Sequence, residues 1–567
     1  MRRLAGPFVF LLLALATAAP SRGGRPDYDT LIAGGTVVDG TGGRRRAADV
    51  GINGDRIVAI GNLAGRTAGR VIDARGLIVA PGFIDMLGWS QQTILVDPRG
   101  VSKVTQGVTT EVTGEGWSPA PVNDHTLRDD LPQLRAWGLT VDWRDFDGYF
   151  ARLERSGLPF NLAAFVGATT VRQYVLGAAR RAPTPEELAL MEALVDTAMR
   201  QGALGLSTSL VYAPAIYAST NEIIALARVA GRHGGVYASH IRNEGPRIRE
   251  ALAEAFAIGR AAGTPVEVWH LKVTGRSNWG RMPRILALFD SVRATGQRVG
   301  ANSYPYVASA TSLDASIPSW AHAGGKDSLV ARLRDPATRE RIRREMTGQA
   351  AGSGQESFSR GAGGLSGVMV LNVLDSSLRH YQGRRISEIA AQEQRDPYDV
   401  LFQILVADGA NTGAAYFSMS EADVRTAVAS RWVGVGMDFG ATAPDGPLGG
   451  MRPHPRAFGT FPRILARYVR EARVLRLETA IRKFSAVPAE RFGLRERGLL
   501  REGYFADITV FDPLTVNDRA TFEDPARVSE GIRYVLVNGQ LTLDDGRLTE
   551  ARPGRPLRGP GYRAPQP

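Results

Sequence analysis

Cysteine is absent from the 567 residues. No disulfide, thiolate nucleophile, Cys-bound metal or Cys-linked lipid anchor can form. Histidine is nearly as scarce: His125, His233, His240, His270, His322, His380 and His454 are all there are. A metal site must draw on these, with Asp and Glu. Lysine is held to Lys103, Lys272, Lys326 and Lys483, so arginine carries the net charge of +12. The arginines are scattered, with no long basic stripe and their densest spots at 44–46 and 552–563. That describes a solvated surface better than a nucleic-acid footprint, and no nucleic-acid partner is expected. Beyond residue 20 no apolar run reaches the ~18 residues a membrane span needs. Hydrophobic residues at 44% and charged residues at 22% are globular values, so the chain is not expected to be disordered or fibrous.

The chain opens like a secretory signal. Arg2 and Arg3 precede an apolar stretch at 8–15, and Ala16-Thr17-Ala18 forms a small-x-small cleavage site. The expectation is a signal peptide over 1–19 and an exported, periplasmic protein without stable membrane association after cleavage. Short strand-like runs fill 27–80, and Asn53-Gly54 marks a two-residue hairpin. From residue 81 apolar runs at 77–84, 108–112, 162–166, 203–207, 235–238, 265–269, 298–301 and 432–435 alternate with helix-like stretches. Thr184-Pro185-Glu186-Glu187 opens one of these with a cap, a proline and acids. Eight such units predict an α/β fold, a (β/α)8 barrel over 81–485. The long gap before the eighth run, with a Gly/Ser-rich stretch at 348–367, predicts an inserted subdomain at about 310–385. Strand-and-turn texture returns over 490–551. Both chain ends should therefore build one small β-sandwich domain, followed by a disordered Pro/Arg-rich tail at 552–567.

A barrel enzyme works at the C-terminal ends of its strands. The polar residues that end these runs are Glu115, His240, His270 and Asp438. Two imidazoles and two carboxylates suit a Zn²⁺-type site with an open position for water. Each residue alone also fits a bland role: a strand-end histidine is often structural, and Glu115 between glycines equally fits a helix cap. Their conjunction at four strand ends is what points to a metal.

The chain carries Gly34-Gly35-Thr36-Val37-Val38-Asp39-Gly40, Ala80-Pro81-Gly82-Phe83-Ile84-Asp85 and Gln106-Gly107-Val108-Thr109-Thr110. It continues with Leu206-Ser207-Thr208, Tyr304-Pro305-Tyr306, His454-Pro455-Arg456 and Gly459-Thr460-Phe461-Pro462-Arg463. Over nearly the whole mature length these segments resemble the amidohydrolase superfamily, within it the N-acyl-D-amino-acid deacylase (D-aminoacylase) branch. Two departures stand out. Leu87-Gly88-Trp89 occupies the place of the superfamily's His-x-His, and Glu115 stands where the branch usually has a Cys. The resemblance implies one divalent ion per chain, Zn²⁺ in first place, held by Glu115, His240 and His270. It implies Asp438 as the proton shuttle, with a carboxylate that holds His240 or His270 in place as the alternative. Lys272, with Arg242 as partner, is the expected contact for a substrate carboxylate, and Tyr212 and Tyr304 are expected to hydrogen-bond the substrate. His454 is expected to be structural. The implied reaction is hydrolysis of a linear amide, an N-acyl-D-amino acid, to a carboxylate and a free amino acid. The alternatives are a dipeptidase, a dihydropyrimidinase-like cyclic amidase and an inactive periplasmic binding protein. The cyclic amidases usually carry a carboxylated Lys after strand two, and no Lys lies between Lys103 and Lys272.

Overall fold

The computed structural model describes residues 26–349 and 356–564; the expected signal segment at 1–19 lies outside them. Its centre is a barrel of eight parallel strands. In chain order they are Phe83–Gly88, Val108–Thr113, Asn161–Ala164 continued by Val166–Gly167, Gly205–Ser209, Val236–His240, Val266–Val268, Val299–Ser303 and Val433–Val435. Each pairs in parallel with the next. A parallel bridge from Gly88 to Phe439 closes the circle. The strands are buried along their whole length. That is why they read as unbroken apolar and small residues rather than as an alternation. The intervening helices are amphipathic, and Pro185–Arg200 begins with the capping box of Thr184 and Glu187 that the sequence signals.

The run 77–84 is divided between two sheets. Ile78–Pro81 pairs with Tyr28–Val37 and with Ile508–Phe511, while Phe83–Gly88 enters the barrel. Gly82 sits at the crossing, where a Cβ would lie 2.1 Å from Thr109 Oγ1. A period-2 pattern cannot reveal such a switch, because both pieces are apolar. The small domain is one continuous nine-stranded sheet to which both chain ends contribute. It encloses its own core of Ile32, Val50, Ile52, Val510 and Leu536.

Two boundaries differ from the sequence reading. The insertion runs further than 310–385. Its antiparallel sheet joins Ser309–Ser312, Val368–Val370 and Gly413–Tyr416, so Ile386–Glu393 and Pro397–Ala407 belong to it. Ile389, Leu401 and Leu405 pack into its separate core. Nor are residues 552–564 a disordered tail: Pro556–Leu557 pairs in parallel with Leu162 and Ala163 of the third barrel strand. Its arginines find carboxylates, Arg555 at Asp55 (2.9 Å) and Arg558 at Asp147 (2.7 Å). Composition imitates disorder here because the order comes from distant partners. Among the described residues no helix is long and apolar enough to cross a membrane.

Candidate active site

Four strand ends converge on one mouth. Gly114 turns the chain out of the second strand with φ +100°, and a Cβ there would meet Phe165 O at 2.6 Å. This places Glu115 inward. His240 ends the fifth strand. His270 follows the sixth, its amide donating to Asn302 Oδ1 at 2.8 Å. Asp438 follows the eighth, in the left-handed region at φ 52°, where non-glycine residues are uncommon.

Glu115 Oε1 lies 2.9 Å from His240 Nδ1 and 3.0 Å from His270 Nε2. The imidazoles stand edge to face with centroids 4.4 Å apart. The three side chains are buried. One ligand atom from each lies within 4.8 Å of the others, and among the described residues this is the one such group of three. The donor set of two imidazoles and a carboxylate fits a borderline divalent ion. The remaining ring nitrogen of His240 is buried without a hydrogen-bond partner. Burial works against ionisation of Glu115, but the His270 charge and hydrogen bonds from both imidazoles outweigh it and hold the carboxyl at about 2. Burial and Lys272 work against protonation of His270, yet the carboxylates of Glu115, Asp438 and Glu244 raise it to about 9. His240 is pushed down, chiefly by burial.

Behind the imidazoles lies a carboxylate that the sequence reading passed over. Glu244 Oε1 accepts from Lys272 Nζ at 2.6 Å and lies 3.2 Å from His270 Nδ1; Oε2 is 3.7 Å from His240 Nε2. Burial opposes its ionisation, but Lys272 and the two imidazoles hold it well below the usual carboxylate range. The available signal was spacing: Glu244 stands four residues after His240. Glu356, within the Gly/Ser-rich stretch, accepts from the Glu244 amide and the Thr274 hydroxyl, each at 2.5 Å. Nothing local in the sequence marks it.

The candidate substrate residues separate. Tyr212 lines the cavity with its ring 5.1 Å from that of His240, and stacks on Phe358. Lys272 lies beneath the floor, its ammonium on Glu244 and 2.7 Å from His270 Nδ1. Tyr304 is buried there too, its hydroxyl without a hydrogen-bond partner. Arg242 is not in the site at all. Its guanidinium is spent on Glu254, at 2.9 Å from two nitrogens, and on the carbonyls of Ile216 and Ala218, and it lines a different cleft. Four acceptors from neighbouring loops take it there, which sequence proximity to His240 could not show. Arg456 does reach the cavity, beside Asp438. It is buried; Nη1 lies 2.9 Å from Asp438 Oδ2, but neither Nη1 nor Nε makes a hydrogen bond. Trp89 donates from its indole to the other Asp438 oxygen at 3.1 Å. His454 receives the Arg456 amide on Nδ1 and places Nε2 3.0 Å from Ala308 O, a cap for the helix Arg456–Arg463.

The cavity holds about 600 Å³. Glu115, His270, Asp438 and Arg456 share its lining with Trp117, Tyr212 and Phe358. A polar floor under aromatic walls, with the Arg456 guanidinium beside the Asp438 carboxylate, suits a small molecule carrying a carboxylate and an apolar part.

Residues 438–543 match the model of the amidohydrolase family. The chain is 37% identical to the D-aminoacylase of Alcaligenes xylosoxydans xylosoxydans, over 94% of this chain and 97% of that protein. Among solved structures, the N-acyl-D-glutamate deacylase of Bordetella bronchiseptica, complexed with zinc and a phosphonate mimic of the tetrahedral intermediate, superposes with a TM-score of 0.77. It shares 35% identity, covering 94% of this chain and 99% of the other. A D-aminoacylase with a binuclear centre, described by one-metal activation and second-metal attenuation, superposes with a TM-score of 0.78 at 37% identity, covering 94% of this chain and all of the other.

Proposed function

The chain belongs to the D-aminoacylase family of amidohydrolases, and we propose that it hydrolyses N-acyl-D-amino acids to a carboxylate and a free D-amino acid, with one Zn²⁺ per chain. The observation that carries this reading is the convergence of the Glu115–His240–His270 donor set with Asp438 and Arg456 around one cavity. Glu115, His240 and His270 would hold the ion. When bound, it supplies Lewis acidity toward the amide carbonyl and the attacking water.

The chain's own residues supply the rest. Asp438, held from two sides by Trp89 and Arg456, takes the proton of the attacking water and passes it to the departing amine nitrogen. Arg456, with Nη1 on Asp438 and Nε without a hydrogen bond, receives the substrate α-carboxylate and so orients the amide over Asp438. Glu244, tied to Lys272, faces both imidazoles and fixes their orientation. Leu87 and Trp89 offer no ligand for a second ion, which supports the single-ion stoichiometry. The N-terminal segment supports export to the periplasm.

The test is a hydrolysis screen of paired N-acetyl-D- and N-acetyl-L-amino acids, dipeptides and cyclic ureides with Zn²⁺-loaded protein, beside metal analysis. Turnover confined to D-substrates at one equivalent of zinc is expected. Turnover of cyclic ureides alone, or of L-substrates alone, would overturn the assignment.

A further inference from the structure

Asp438 sits three residues past the end of its strand, on a backbone with a left-handed φ of 52°. Nothing in the eighth strand's own ladder reaches that far. Such a conformation persists only where its surroundings fix it. The fixing groups are a buried charge cluster under the first two strands. Lys103 is 0% exposed, and its ammonium meets three acceptors: Asp85 Oδ2 at 2.6 Å, Glu111 Oε2 at 3.0 Å and the carbonyl of Phe439 at 2.6 Å. An ammonium has three N–H donors, so every one is used.

The two carboxylates carry the hold onward to both sides of Asp438. Asp85 Oδ1 accepts from the Met437 amide at 2.8 Å and the Leu87 amide at 3.1 Å. Glu111 accepts from the Ser90 amide at 2.8 Å and the Ser90 hydroxyl at 2.5 Å; Ser90 Oγ in turn accepts from the Ala441 amide at 2.7 Å. Ser102, beside Lys103, accepts from the Thr442 amide at 3.0 Å. The Asp438 amide itself donates to Leu87 O at 2.7 Å. Residues 437, 438, 439, 441 and 442 are thus tied to strands one and two and the segment that follows. The same network anchors Trp89 between Gly88 and Ser90, and Trp89 donates to the Asp438 carboxylate. The second strand is also the one that delivers Glu115.

We propose that Lys103 is a positioning residue for Asp438: with Asp85, Glu111 and Ser90 it clasps residues 437–442 and sets the register of the Asp438 carboxylate against the Glu115–His240–His270 group. None of these four touches the cavity, and none is a metal ligand. The role does not follow from burial alone. An ion cluster that served only stability could bind any backbone, whereas this one contacts the residues before and after Asp438 and the neighbours of Trp89, the donor to its carboxylate.

The assignment of a catalytic part to Asp438 rests on the proposed deacylase reaction, so the test joins a kinetic and a non-kinetic measurement. Lys103→Met and the milder Ser90→Ala, which removes one hydroxyl and no charge, are compared with wild type as full-length, zinc-loaded protein. A displacement of Asp438 by about 1 Å costs on the order of 10²-fold in rate. We expect kcat for an N-acetyl-D-amino acid to fall about 10²-fold in Lys103→Met and at least about tenfold in Ser90→Ala, with KM and zinc content within about twofold of wild type. Amide hydrogen exchange over 436–442 should accelerate at least about tenfold, while peptides bearing His240 and His270 keep their protection. If Lys103→Met does not fold, Ser90→Ala decides alone. A Ser90→Ala protein with unchanged kcat, or with kcat lost together with zinc or KM, overturns the positioning role. Unchanged exchange over 436–442 overturns the clasp even if wild type turns over no N-acyl-D-amino acid, an outcome that would refute the proposed function separately.

Discussion

Replacing Arg456 by Met removes the one guanidinium on the cavity lining among the described residues. The side chain is 3% exposed. Its Nη2 keeps a bond to Ala310 O at 3.2 Å, Nη1 lies 2.9 Å from Asp438 Oδ2, and Nε makes no hydrogen bond. A substrate carboxylate received on Nε and Nη1 would make two charge-assisted bonds, of about 1.5–3 kcal/mol each. Coulomb's law gives a similar scale: unit charges about 4 Å apart at an effective dielectric near 20 interact by about 4 kcal/mol. At 1.36 kcal/mol per decade, about 4 kcal/mol is roughly three decades. Allowing for solvent that enters the vacated space, kcat/KM should fall about 10²–10³-fold. The loss should appear mainly in KM, with zinc content unchanged. Arg456 also neighbours Asp438, so the variant alone cannot separate the two effects. The substrate supplies the second half of a cycle: an N-acyl-D-amino acid amide lacks the carboxylate but keeps the scissile bond. Arg456→Met should cost the amide at least tenfold less than the acid, and that difference is the coupling energy. Equal losses on acid and amide would refute carboxylate capture by Arg456.

The metal site makes three further predictions. Glu115→Gln keeps the shape but removes the anion between the imidazoles. It should lower zinc affinity by more than about 10–100-fold, the range seen on losing an outer partner, as read by chelator competition; retained stoichiometric zinc would remove Glu115 from the ligand set. His270 of the metal-free protein is raised to about 9 and must be neutral to bind an ion, so zinc uptake displaces its proton. Apparent affinity should therefore rise with pH, up to about tenfold per unit, and level off near pH 9; a flat or falling profile between pH 6 and 9 contradicts this order. Lys272→Met should weaken zinc binding through loss of the Glu244 partner and change KM for acidic-end substrates by less than about threefold; a large KM effect with unaltered zinc affinity would return Lys272 to substrate binding.

Strand ends were the most legible part of the chain. Parallel strands buried on both faces advertise themselves as short apolar runs, and the polar residue after each run inherits a place at the mouth. That logic brought Glu115, His240, His270 and Asp438 forward, and the structure gathers them. It failed where a side chain's direction depends on a distant partner. Arg242 stands two residues from His240 yet turns to Glu254, and Arg456 enters the cavity because His454 caps its helix from the far side. The clasp around Lys103 was equally hidden, since a lysine followed by Val104 reads as an ordinary exposed position until Asp85 and Glu111 appear beside it. The tail shows the same blindness at larger scale: Arg558 meets Asp147 and Gln201, and Leu557 meets Ala163, all more than 350 positions earlier.

The shared sheet has a consequence for the order in which a newly made chain can fold. Ile78–Pro81 lies between Tyr28–Val37 and Ile508–Phe511, and the third barrel strand takes Pro556–Leu557 at its edge. Until Ile508–Phe511 is in place, Ile78–Pro81 presents an unpaired edge, the kind of surface that recruits foreign strands. Hundreds of residues of non-local closure must then be completed in one late event. A chain that lacks residues 508–511 cannot close this sheet, and it is expected to be an aggregation-prone substrate for chaperones rather than a slightly shortened enzyme.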